Sequence, residues 1–154
     1  MTKFDNDPDV IRDLLQTPAT WAVVGLSANT GRTAYRIGEF LHTELGMRVI
    51  PVHPRAEKVF GEQGYARLAD LPDGTSVQVV DCFVNSALVG AVVDEAIAER
   101  ERLGIDAVWL QLGVVDEAAA ERAREAGLAV VMDTCPAIEL PRIQPGDGSG
   151  VVVG

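Results

Sequence analysis

T-W-A-V-V-G-L-S-A-N-T-G-R-T-A-Y-R, residues 20–36, decides the fold. Thr20 to Gly25 is a short apolar run closed by glycine, which reads as a fully buried strand. From Thr33 to Leu45 the residues Tyr35, Ile37, Phe40 and Leu41 cluster on one face of a helix, and Gly46 stops it. Gly25 at the strand end permits a sharp turn. Ser27, Ala28, Asn29, Thr30 and Gly31 are small or turn-forming, so loop amides are open to a phosphate. Unpaired N–H groups at the helix start near Thr33 favour an anion, and Arg32 and Arg36 add charge. The loop is not a Walker-type one, because five residues rather than four separate Gly25 from Gly31 and no Lys-Ser/Thr pair follows. It is not G-x-G-x-x-G either, since Ser27 and Thr30 occupy the later glycine positions.

The same alternation continues along the chain. Before this unit, Pro8 to Gln16 reads as a short helix with Val10, Ile11, Leu14 and Leu15 on one side. After it come a strand over Arg48–Val52, an irregular stretch from His53 to Gly74, and a strand over Val77–Phe83. Ala87–Leu103 is a long helix, Ala107–Leu112 a strand, Glu117–Ala126 an alanine-rich helix and Leu128–Met132 the last strand. Pro51 donates nothing to a ladder and puts its strand at an edge or at a strand end. The irregular stretch holds a short edge strand near Val59 and a helical turn near Leu68. Strands alternating with helices require right-handed crossovers. The expected fold is therefore a Rossmann-like, three-layer α/β domain, with a mostly parallel sheet of five or six strands and helices on both faces. One domain is expected over 1–143, followed by a flexible glycine-rich tail over 144–154.

Composition narrows the function. The 154 residues are 47% hydrophobic and 23% charged, as in a globular protein. The net charge of −10 opposes nucleic-acid binding. No apolar run spans a bilayer, and Met1-Thr2-Lys3-Phe4-Asp5 lacks a signal-peptide pattern. Two cysteines and two histidines without ligand spacing predict no disulfide scaffold and no metal site, and place the chain in a reducing cytoplasm. The charge is uneven: residues 19–67 carry six basic and four acidic side chains, residues 68–154 five and fifteen. A small polyanion should dock on the first of these segments.

In an open parallel sheet, ligands bind beyond the carboxyl ends of the strands. The loop after the second strand carries His53, Pro54, Arg55 and Lys58. A nicotinamide dinucleotide usually meets an acid there, so this cationic loop suits a ribose bearing an extra phosphate, as in NADP or coenzyme A. The last loop, D-T-C-P-A-I-E over Asp133–Glu139, presents Cys135 near a helix opened by Pro136, where a helix dipole stabilises a thiolate, but a lone cysteine reads first as a buried small hydrophobe. Packing accounts for Trp21, Trp109 and Cys82. His42 reads as a partly exposed helix residue, and Asp81 and Asp133 form a weak candidate carboxylate pair. No catalytic residue is assigned.

Together these loops resemble the small bacterial CoA-binding proteins, similar to the CoA-binding domain of the succinyl-CoA synthetase α subunit. V-V-G-L-S followed by G-R-x-x-Y-R (Val23–Arg36), V-I-P-V-H-P-R (Val49–Arg55), V-V-D-C-F (Val79–Phe83), A-V-W-L-Q-L-G-V (Ala107–Val114) and G-L-A-V-V-M-D-T-C-P-A-I-E (Gly127–Glu139) carry the likeness. The chain departs from the family pattern at His53, Val84 and Asp133-Thr134, and the last two departures remove cationic side chains. The resemblance implies binding of CoA or an acyl-CoA without catalysis. The phosphorylated adenosine end would lie on Gly25, Ser27, Ala28, Arg32, Thr33, Val52, His53, Pro54, Arg55 and Lys58. The arm would pass Phe83, Val84, Gln111, Leu112 and Gly113 toward Cys135. The alternatives are an NADP-dependent oxidoreductase or nucleotide-sensing domain, or a regulatory module whose acidic half meets a protein partner. Monomer and small homo-oligomer both fit.

Overall fold

A computed structural model describes residues 5–143. The chain runs α1 (Pro8–Gln16), β1 (Thr20–Val24), α2 (Thr33–Thr43), β2 (Arg48–Val52), a single 3-10 turn (Leu68–Asp70), β3 (Val79–Cys82), α3 (Ser86–Leu103), β4 (Ala107–Leu110), α4 (Glu117–Glu125), β5 (Ala129–Met132) and α5 (Pro136–Ile143). All five strands are parallel, in the order β2-β1-β3-β4-β5. The expected α/β class and helix-covered sheet are therefore present, with five strands. Pro51 does lie on an edge strand, β2. The tail expected over 144–154 lies outside the described residues.

Alternation along each strand divides the core into two layers. Ala22, Ile50, Val80, Val108 and Val130 pack beneath α3 and α4, with Val89, Val93, Ala119 and Ala123 opposite them. Trp21, Val23, Val49, Val79, Trp109 and Val131 pack beneath α1, α2 and α5, with Ile11, Ile37, Leu41 and Ile143 opposite them. The Trp21 and Trp109 rings meet at 5.6 Å between centroids, so both do pack. The Trp109 indole N–H also donates to the Thr134 carbonyl at 2.9 Å, tying the loop after β5 to β4.

Several expected strands shorten. Val77 donates its N–H to Leu103 rather than to a strand, and Leu112 lies beyond β4 with 62% of its surface exposed. No edge strand forms at Val59, which makes only an antiparallel bridge to Glu62. Tyr65 instead extends the sheet by one parallel bridge to Val52. The 3-10 turn at Leu68–Asp70 matches the helical turn expected there.

Strand order reverses between β1 and β3, and there the loops after the two strands touch. Gly25 has φ +107, and its N–H donates to the Val52 carbonyl at 2.7 Å. A Cβ at this position would stand 2.5 Å from the Phe83 carbonyl oxygen. Gly25→Ala thus meets both an unfavourable backbone region and a backbone clash. It is expected to cost about 2–3 kcal/mol, measured as a lowered urea midpoint. An unchanged midpoint would mean that the turn relaxes freely.

Candidate functional site

The loop after β1 is organised by its own polar side chains. Ser27 Oγ accepts from the Asn29 N–H at 3.2 Å, and Asn29 Oδ1 from the Gly31 N–H at 3.0 Å. Glu57 Oε1 reaches across from the second loop to accept from the Ala28 N–H at 3.0 Å. The loop amides expected to face a phosphate are therefore largely partnered already, a correction to the reading of this loop as an open cradle. The N–H groups of Thr33 and Ala34 have no partner among the described residues, because the first turn of a helix has no intrahelical acceptor for them. Arg32 occupies the N-cap position of α2 without a side-chain cap bond, and α2 has no acid in its first turn.

Three clefts run along the carboxyl edge of the sheet. The first, about 510 Å³, is lined by Ser27, Ala28, Asn29, Arg32, His53, Arg55 and Glu57. The second, about 310 Å³, is lined by Gly31, Arg32, Thr33, Ala34 and Phe83. The third, about 270 Å³, is lined by Thr33, Phe83, Gln111, Leu112, Val114, Cys135 and Ile138, and it is mostly apolar. Arg32 is common to the first two clefts, and Thr33 and Phe83 to the last two. Together they follow one edge from a charged end to an apolar end.

Of the expected site residues, Ser27, Ala28, Arg32, Thr33, His53, Arg55, Phe83, Gln111, Leu112 and Cys135 come together along this edge. Gly25 and Val52 instead support it, through their mutual hydrogen bond. Pro54 and Lys58 are exposed and line none of the three clefts. Val84 packs on the core beneath α3, and Gly113 donates its N–H to Asp133 Oδ1 at 2.8 Å. Asn29 and Gly31, read as part of the phosphate loop, also line it, and the residues not anticipated there are Glu57, Ala34, Val114 and Ile138. Glu57 had a visible signal, as the lone acid between Arg55 and Lys58.

The arginines of the cleft differ from six others in the chain. Arg12, Arg48, Arg67, Arg102, Arg122 and Arg142 each pair with a carboxylate. The Arg32 and Arg55 side chains have no hydrogen-bond or ion-pair partner among the described residues. His53 Nδ1 accepts from the Arg55 N–H at 3.1 Å, which leaves Nε2 as the donor of the neutral ring.

At the apolar end, Cys135 is 8% exposed, and burial pushes its thiol up while the amides of Ala137 and Ile138 oppose this. Desolvation outweighs the helix-terminus effect, so a thiolate is not favoured there and Cys135 is the buried residue that the sequence reading preferred. Glu139 accepts from the Thr134 hydroxyl at 2.5 Å and pairs with Arg142, closing the start of α5. Asp81 and Asp133 do not pair. Asp81 is fully buried, and Gln111 Nε2 donates to its Oδ1, while its Oδ2 has no partner among the described residues. Burial raises this carboxyl to about 8, with the Gln111 bond opposing it. His42 stacks on Phe60. Among the described residues, no group of three or more His, Cys, Asp or Glu is placed to hold a metal ion, and no helix is long and apolar enough to cross a membrane.

A parallel sheet whose strand order reverses beside an arginine-lined cleft is a doubly wound α/β domain, a class of fold whose ligands bind at the switch point. The family model described as the CoA binding domain matches residues 19–141, and the chain belongs to that family. It is 30% identical over 125 residues to the uncharacterized protein YneT of Bacillus subtilis, covering 81% of this chain and 87% of YneT. It is 29% identical over 117 residues to the ADP-forming acetate–CoA ligase II of Archaeoglobus fulgidus, covering 75% of this chain but 16% of that enzyme. A solved hypothetical protein from Pyrococcus horikoshii OT3 superposes with a TM-score of 0.78 at 32% identity, over 93% of this chain and 99% of that one.

Proposed function

We propose that the protein binds coenzyme A or an acyl-CoA along the carboxyl edge of its sheet, and that it does so as a binding protein rather than as a catalyst. The observation that carries this reading is the gradient along the edge. Two arginines without partners among the described residues stand at one end, the free Thr33 and Ala34 amides lie in the middle, and an apolar cleft ending at Cys135 lies at the other. A CoA molecule has the same order of chemistry, from phosphorylated adenosine through diphosphate to an apolar thiol-tipped arm. Membership of the CoA binding domain family supports the assignment. The enzyme from Archaeoglobus fulgidus is a CoA ligase by name, and this chain matches a small part of it.

The state of the side chains at hand supports binding without chemistry. The Cys135 thiol is held protonated by burial, His53 is occupied at Nδ1 and His42 stacks on Phe60. Calorimetric titration tests the ligand. CoA is expected to bind at least about tenfold more tightly than dephospho-CoA, because one charge-assisted contact is lost. NADP, which lacks the arm, is expected to bind more weakly than CoA. No heat from CoA at millimolar concentration refutes the assignment, and tighter binding of NADP transfers it to a nicotinamide nucleotide.

A further inference from the structure

We propose that Glu57 is an internal competitor for the ligand's phosphate, a carboxylate that occupies the cleft and must be displaced before CoA can bind; this rests on the CoA reading above. Glu57 Oε1 accepts from the Ala28 N–H at 3.0 Å, spanning the gap between the two rim loops. A phosphate oxygen would use this donor in the same way, as an anion accepting from a backbone amide. The neighbouring Asn29 and Gly31 amides take neutral acceptors, Ser27 Oγ and Asn29 Oδ1. Ala28 therefore holds the one charged acceptor of the loop.

Two further features favour competition over simple tethering. Among the described residues Glu57 is the only carboxylate lining the 510 Å³ cleft, yet it forms no ion pair with Arg32 or Arg55 and leaves both guanidinium groups to an incoming anion. The backbone behind it is closely packed, because a Cβ on Gly64 would clash with the Glu57 carbonyl oxygen. The bond to the Ala28 amide is made by the Glu57 side chain alone, so a swing of that side chain releases the amide without a change in the backbone beside Gly64.

The test is the CoA affinity of the full chain carrying Glu57→Gln, Glu57→Ala or, as a control for net charge, Glu44→Gln at the far end of α2. The Ala variant is expected to bind CoA about tenfold more tightly, the worth of one charge-assisted hydrogen bond, with the Gln variant between it and the parent. Glu44→Gln should leave the affinity unchanged. In the ligand-free protein the Ala28 amide proton resonance should move upfield in Glu57→Ala, and in the parent it should respond to CoA. Unchanged or weaker binding by Glu57→Ala, while the parent binds CoA, overturns the competitor and leaves the proposed function standing. An equal gain in Glu44→Gln overturns it as well, by assigning the effect to long-range repulsion. If neither the parent nor Glu57→Ala binds CoA, the proposed function itself fails, and the competitor with it.

Discussion

Replacing both Arg32 and Arg55 by alanine is expected to weaken CoA binding about 100-fold and to flatten its dependence on salt. Both side chains line the same 510 Å³ cleft, and neither has a partner among the described residues. Neither replacement therefore orphans a carboxylate or breaks a structural ion pair, and folding should be nearly unaffected. A guanidinium–phosphate contact is worth about 1.5–3 kcal/mol, so each single variant should lose roughly tenfold or more in affinity. Arg32 also lies beside the unpaired Thr33 and Ala34 amides, and its loss should be the larger of the two. Affinity by calorimetry at low and at near-physiological salt gives the measurement. A double variant that binds CoA as the parent does would remove these arginines from the site. Pairing Arg32→Ala with Arg12→Ala supplies a control, since Arg12 is bound to Asp9 on α1.

Asp81→Asn should stabilise the fold increasingly as pH rises from about 4 to 8. The Asp81 carboxyl is raised from 3.8 to about 8 by burial, so between those values the folded protein keeps a proton that the unfolded chain releases. Stability falls with pH wherever the folded state binds more protons. Below the lower value both states are protonated and the residue is neutral to stability. Above the upper value both are ionised and the loss levels off. At about 1.4 kcal/mol per pKa unit, the advantage of Asn over Asp should reach roughly 3–5 kcal/mol between pH 4 and pH 7. Asn is the isostere of the neutral acid, and its Oδ1 still accepts from Gln111. Urea midpoints of the two proteins at several pH values decide the matter. Other carboxylates titrate alike in both, so the difference isolates Asp81, and parallel curves would show that the carboxyl is ionised in the fold.

Much of the architecture was legible from local pattern alone. T-W-A-V-V, V-V-D-C and A-V-W-L are near-continuous apolar runs because a strand of a parallel sheet is buried on both faces. The intervening helices announce themselves by a 3.6-residue period and by glycines such as Gly46 and Gly104 at their ends. Strand ends were overextended at Val77 and Leu112, since apolar residues continue past the last ladder bond to line the core and the clefts. The edge strand expected near Val59 is absent, and Tyr65 makes the bridge to β2 instead.

The sequence by itself determined the class of fold and which loops lie at the carboxyl edge, because helix and strand periods are properties of neighbouring residues. It also determined that positive charge gathers on residues 19–67 of an otherwise acidic chain. Only the tertiary structure decided the strand order β2-β1-β3-β4-β5, the place of Glu57 rather than Lys58 in the wall of the 510 Å³ cleft, and the sealing of Asp81 behind Gln111. These depend on which distant segments pack together. A side chain's partners and its access to water are set by contacts across the fold, which the order of residues along the chain does not record.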